Sequence, residues 1–194
     1  MVNEKRLYIR HAAKELIPES MTHVLEFGVY KGASIKIIKN ELAKKTVRYD
    51  LFGFDSFIGL PDDWVTPDGK TLLKEGAFFT GGPPDITGIK WFPGWFKDTI
   101  PEYLKIAQPI ALLHVDCDLY VPAKEIFYGL QKFIVKGTII AIDDWFYEKN
   151  PEYNDTTQKA FYEWVNDFNI KFKFHEFSKQ HNSVRYGQKI VEVI

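Results

Sequence analysis

Apolar residues along this chain fall into two alternating rhythms. Residues 23–27 (His-Val-Leu-Glu-Phe) form a short, nearly unbroken run that ends at Gly28, and residues 34–44 then place Ile35, Ile38 and Leu42 at helical spacing. That order is strand, glycine-bearing turn, helix. Residues 49–54 make a second run ending at Asp55, residues 110–115 a third ending at Asp116, and residues 138–142 a fourth ending at Asp143-Asp144. Between the last two, Ala123, Ile126, Phe127, Leu130, Phe133 and Ile134 recur with a period near 3.6. Runs without polar alternation suit strands covered on both faces. Their alternation with helices predicts an α/β fold, a mostly parallel sheet between helical layers.

The ends of the chain extend this scheme. Residues 3–16 read as an opening helix with Leu7, Ala12 and Leu16 as its apolar side, within an N-terminal segment 1–20. Residues 158–168 place Ala160, Phe161, Trp164, Val165 and Phe168 on one helical face, and two strand candidates follow at 171–177 and 184–193. The short polar connection between them implies an antiparallel hairpin. The Gly- and Pro-rich stretch 58–88, with Trp64, Phe78 and Phe79, has little periodicity. Long aromatic loops in compact domains serve as lids or binding loops, or pack onto a sheet edge.

Composition narrows the picture. With 194 residues and 45% hydrophobic content, the expectation is a single domain over 1–194. A net charge of -1 and the lack of a long basic run argue against nucleic acid as a partner. No apolar run approaches the roughly 18 to 20 residues of a membrane helix, so a soluble, unexported protein is expected. The lone cysteine, Cys117, forms no internal disulfide, which fits a reducing cytoplasm. On that reading the sequon at Asn154-Asp155-Thr156 is fortuitous.

The candidate chemistry sits where strands end. In an open parallel sheet, ligands gather beyond the carboxyl ends of the strands. The segment from Glu26 to Ser34 carries Gly28 and Gly32, which allow close backbone approach to a ligand ahead of a helix N-terminus. Taken alone the signal is weak, and a tight turn without a ligand is the alternative. Tyr30 occupies the position a dinucleotide fingerprint gives to its second glycine, which disfavours a nicotinamide cofactor. Asp55 can accept hydrogen bonds from a ribose diol or cap a turn. If the strands ending at Asp116 and at Asp143-Asp144 are neighbours, roughly 4.8 Å apart, their carboxylates can meet on one hard cation at oxygen distances near 2.1 Å. Magnesium suits such an all-oxygen set, with Ca or Mn as further options. Otherwise Asp143-Asp144 caps a turn while Asp116 and Asp118 face solvent. His114 reads as a core histidine. Cys117, between two acids, is a poor nucleophile, and Asn150-Pro151-Glu152-Tyr153 reads as a turn.

Longer blocks carry a resemblance. Residues 24–34 (VLEFGVYKGAS), 53–61 (GFDSFIGLP), 94–101 (GWFKDTIP), 114–120 (HVDCDLY) and 142–145 (IDDW) stand in the order seen in the macrocin O-methyltransferase family, which the chain resembles over about 24–145. The resemblance implies a three-layer, Rossmann-like class I methyltransferase fold with a seven-stranded sheet. It also implies a cytoplasmic enzyme that uses S-adenosylmethionine and Mg²⁺ to methylate a hydroxyl of a small molecule, a sugar or glycosylated metabolite, with a homodimer allowed. Carried over by position, Glu26, Gly28, Tyr30, Gly32 and Ser34 would serve the methionine and ribose side of the cofactor. Asp55 would serve the ribose diol, and Ser56, Trp95 and Phe96 the adenine. Asp116, Asp143 and Asp144 would hold the metal, and Asp118 and Asp116 would be the catalytic residues, Asp118 as the general base. The chain departs from the family in its shorter N-terminus and its own 58–88 loop, so the acceptor is the least transferable part. A non-catalytic nucleotide- or nucleotide-sugar-binding relative and an NAD-dependent oxidoreductase are the alternatives.

Overall fold

A computed structural model describes residues 6–65, 69–145, 157–177 and 187–194. The chain opens with α1 (Leu7–His11), which passes directly into a π-helical turn (Ala12–Leu16). Strand β1 (His23–Phe27) leads through Gly28 to α2 (Ala33–Leu42), and β2 (Asp50–Asp55) follows. A two-stranded hairpin, β3 (Trp64–Val65) and β4 (Thr71–Leu73), lies within the long loop. Next come β5 (Ile89–Pro93), α3 (Phe96–Leu104), β6 (Ile110–Val115), α4 (Tyr120–Gly129) and β7 (Ile139–Ile142). The described elements close with α5 (Thr157–Asp167), β8 (Phe172–His175) and β9 (Lys189–Val193).

The main sheet has seven strands in the order β5-β2-β1-β6-β7-β9-β8. From β5 to β7 every pairing is parallel, and β9 is antiparallel to both β7 and β8. The chain first steps outward from β1 and then returns to β6 on the other side of β1. This is the reversal at which open sheets leave a crevice for ligands. Register decides what faces that crevice. Phe27 lies opposite Phe54 and Val115, and Val115 opposite Ile142. The next residues, Gly28, Asp55, Asp116 and Asp143, therefore stand in a row along one edge.

Strand residues alternate between two apolar layers, as the pleat requires. Leu25 and Phe27 join Phe54, Leu113 and Val115 against Ile100 and Tyr103 of α3, Phe127 of α4 and Phe161 and Trp164 of α5. Within this layer Phe27 stacks on Phe54 at 4.2 Å and Phe54 on Phe92 at 4.7 Å. On the other face Val24, Leu112 and Ala141 pack against Ile35 and Ile38 of α2 and against Tyr8, Ile9, Ala12 and Ala13.

That last group revises the expected apolar side of the opening helix. The buried set is Tyr8, Ile9, Ala12 and Ala13, one helical face, while Leu7 and Leu16 lie at its margin. Phe168, just past the end of α5, is 40% exposed, with its ring edge-on to Tyr128 rather than in the core. Besides the β3–β4 hairpin inside the long loop, β5 and α3 escape the hydrophobic pattern. The 58–88 loop is anchored through buried Leu60, Trp64 and Ile86, while Phe79 stays 64% exposed. The Asn150-Pro151-Glu152-Tyr153 turn, the sequon and part of the expected hairpin lie outside the described residues.

Candidate active site

A cavity of about 290 Å³ lies over the carboxyl ends of the parallel strands. Nine of the residues singled out from sequence line it: Gly28, Tyr30, Asp55, Ser56, Trp95, Phe96, Asp116, Asp118 and Asp143. Each is placed by a local reason. Gly28 has φ +88°, and a Cβ there would fall 1.7 Å from the Asp116 carbonyl oxygen, so the β1 and β6 ends approach as closely as only glycine permits. Tyr30 follows at φ +51°. Asp55 ties this turn down: Val29 N–H and Tyr30 N–H each donate to its Oδ2 at 2.8 Å, and Phe57 N–H donates to its Oδ1 at 2.7 Å. Ser56 Oγ–H donates to the Gly59 carbonyl at 3.0 Å and so shapes the start of the long loop. Trp95 precedes α3, and Phe96 sits edge-on against Phe27 at 5.0 Å.

Three residues expected at the cofactor do not line this cavity. Glu26 and Ser34 are buried beneath it, where Ser34 Oγ–H donates to Glu26 Oε1 at 2.9 Å. The other Glu26 oxygen lies 3.1 Å from His114 Nδ1, and His114 Nε2 lies 2.6 Å from the Tyr8 hydroxyl. Both ring nitrogens thus have partners inside the fold, so His114 is the core histidine its strand suggests. Gly32, at φ +77°, packs under the long loop, where a Cβ would fall 2.6 Å from Ile86 Cδ1.

The acidic side is built differently. Oxygen atoms of Asp116, Asp143 and Asp144 all lie within 4.8 Å of one another. Burial, then the charges of Asp143, Asp118 and Glu26, push the Asp116 carboxyl well above the usual carboxylate range, against a downward pull from Arg6. Asp144 is driven up by burial and by the charges of Asp118, Asp143 and Asp116. Its Oδ2 is buried with no hydrogen-bond partner. Asp118, at φ +62°, is raised to about 6, chiefly by burial, with a hydrogen bond from Asp144 working the other way. Burial and the same acids raise the Cys117 thiol, consistent with an inert side chain. Such a set is held together by a shared proton or by a cation, and the orphaned oxygen fits a hard, oxygen-seeking divalent ion.

Sequence reasoning missed several walls of the cavity. Arg6, Leu60, Pro61, Pro122 and Glu125 line it as well. Pro122 and Glu125 are three residues apart on α4, a spacing that puts them on one helix face and could have marked them. Arg6 has no such signal.

With this geometry in hand, comparison with known proteins is informative. The family described as macrocin-O-methyltransferase (TylF) matches residues 85–172. The family resemblance read from the sequence is borne out. The match runs from the segment before β5 to the first residue of β8, so it takes in the whole acidic cluster and leaves out the glycine turn. Demethyldecarbamoylnovobiocin O-methyltransferase of Streptomyces niveus is 26% identical over 163 residues, 75% of this chain and 62% of that protein. The alignment thus spans less than two thirds of that relative's length. The calicheamicin methyltransferase CalS11 superposes with a TM-score of 0.67 at 21% identity, covering 96% of this chain and 75% of its own. The O-methyltransferase NovP gives 0.67 at 22%, covering 99% and 80%. At these identities the likeness is one of fold, the class I methyltransferase fold.

Proposed function

We propose that this chain transfers a methyl group from S-adenosylmethionine to a hydroxyl of a small molecule, a sugar or glycosylated metabolite, at a site that holds Mg²⁺ or a similar divalent cation. One observation carries the reading: Asp116 and Asp143 line a cavity with the glycine turn and Asp55, and they cluster with Asp144, which stands behind the lining with an unpartnered buried oxygen. Relatives of the same fold support both ligands. An O-methyltransferase from Bacillus cereus is in complex with SAH (TM-score 0.57, 14% identity), and another neighbour is named for Mg and SAM (0.56, 13%).

When bound, S-adenosylmethionine supplies an electrophilic methyl and the cation a Lewis acid that acidifies a hydroxyl. The chain's own residues do the rest. Asp116, Asp143 and Asp144 would hold the ion. Asp55 offers the lone pairs not taken by backbone N–H groups to the ribose, and Trp95 and Phe96 give an apolar wall to the adenine. Gly28 keeps the floor free of side chains. Asp118, held at the cavity surface by its left-handed backbone, accepts the hydroxyl proton on a carboxylate oxygen, and such strain is common where a side chain must be aimed. The 58–88 loop covers the cavity through Leu60, Pro61 and Phe78, whose ring meets Tyr30 edge-on at 5.3 Å. Glu26 and Ser34 act from beneath, fixing the turn rather than touching the ligand.

Calorimetric titration with S-adenosylmethionine, with and without Mg²⁺, tests this. Saturable binding, and methyl transfer to a glycosylated acceptor that chelators abolish, is expected. Binding without transfer to any hydroxyl acceptor would favour the non-catalytic relative, and binding of NAD(H) instead would overturn the reading.

A further inference from the structure

Strand β9 runs antiparallel to β7 with Lys189 opposite Ile142. The two segments stay together past the ladder, where Trp145 N–H donates to the Gly187 carbonyl at 3.2 Å. Asp143 therefore stands across from Gln188, in the position where antiparallel neighbours bring their side chains together. Gln188 Nε2–H donates to Asp143 Oδ1 at 3.0 Å. This contact joins a member of the acidic cluster to a part of the chain that lies outside both the family match and the blocks of sequence resemblance.

The chemistry of the contact is specific. Carboxylates packed within 4.8 Å repel one another and tend to swing apart unless something holds them. A lysine or arginine opposite Asp143 would hold it but would also neutralise the charge that attracts a cation. An amide donates a hydrogen bond with no net charge, so it fixes one carboxylate oxygen and leaves the field of the cluster intact. Ligating carboxylates are commonly oriented by such outer hydrogen bonds. We propose that Gln188 is a positioning residue of the cation site, its amide fixing Asp143 so that the other oxygen faces the cluster formed with Asp116 and Asp144. The inference rests on the cation reading above.

The test uses the full chain and Mn²⁺ as the probe, followed by paramagnetic resonance or calorimetry, with Mg²⁺ as competitor. Gln188→Leu and Gln188→Met both remove the amide and keep an apolar stem of similar length. Both should weaken Mn²⁺ affinity by about 10- to 100-fold. S-adenosylmethionine affinity and the melting midpoint of the metal-free protein should match wild type. If one variant fails to fold, the other is read. Wild-type Mn²⁺ affinity in a folded variant overturns the proposal, as does a loss that comes with equal losses of cofactor affinity and metal-free stability. If the wild-type chain itself shows no saturable Mn²⁺ site, the cation reading fails and this inference falls with it.

Discussion

Asp55 and the acids at the ends of β6 and β7 occupy equivalent places on one sheet edge, yet the fold treats them in opposite ways. Asp55 accepts three backbone N–H groups from the turn and loop around it. Asp116 and Asp144 instead lie half-buried beside like charges, and the buried Asp144 Oδ2 has no hydrogen-bond partner. A buried carboxylate oxygen without a partner costs stability. The Asp55 side is thus a finished piece of structure by itself, whereas the acidic side keeps an unsatisfied oxygen that the proposed cation would complete.

The largest effect is expected where the two sides touch. Gly28→Ala places a Cβ 1.7 Å from the Asp116 carbonyl at a φ of +88°, and the clash with strain should cost about 4 kcal/mol or more. Thermal unfolding would show it, and a midpoint near wild type would mean that the β1 and β6 ends can separate. Next in size is Asp118→Asn. It should lower turnover by roughly 10² to 10⁴ while cation and cofactor binding persist. Loss of the cation in that variant, with retention in Asp116→Ala, would exchange the two roles.

These positions were legible because continuous apolar strands announce where they end, and each ends on a glycine or an acid. β5 and α3 were not. Strand β5 is an edge strand, with Lys90 and Pro93 exposed and no residue fully buried, so it lacks the run that marks its neighbours. Helix α3 contains Pro101 at its sixth position, a residue that reads as a break because it has no N–H for the helical ladder. The family resemblance assigns Glu26 and Ser34 to the cofactor, and a sequence cannot show that in the fold they also pair with each other and with His114. Gln188 was invisible for a similar reason, since its contact depends on an antiparallel register set far away along the chain.

Of intermediate size are two substitutions that should move the metal-free protein in opposite directions. Asp55→Ala strips three N–H donors of their acceptor and should destabilise the fold by about 1 to 3 kcal/mol. It should also weaken S-adenosylmethionine binding by about 1.5 to 3 kcal/mol. Asp144→Asn relieves repulsion, so the metal-free melting midpoint should hold or rise while divalent-cation binding is lost. Parallel melting curves and titrations check both, and a fall in stability for Asp144→Asn would mean that the cluster is as well satisfied as Asp55.

The smallest expected effect is a pH dependence that belongs to the acidic side alone. Burial raises Asp118 from its ordinary 3.8 to about 6. A carboxyl raised in the folded state contributes stability that is fully present below the unfolded value and lost as pH rises through the folded one. Between about pH 4 and pH 6, metal-free wild type should therefore lose a few degrees of melting midpoint relative to Asp118→Asn, which has no proton to release there. Saturating Mg²⁺ should shrink that difference, because a nearby positive charge favours the ionised carboxylate and lowers its pKa. Turnover should rise with pH along a limb at or below about 6, as Asp118 becomes able to accept a proton, and the limb should be missing from the residual activity of Asp118→Asn. Superimposable profiles for the two proteins, with or without the ion, would show that Asp118 is as settled as Asp55 and would remove it as the proton acceptor.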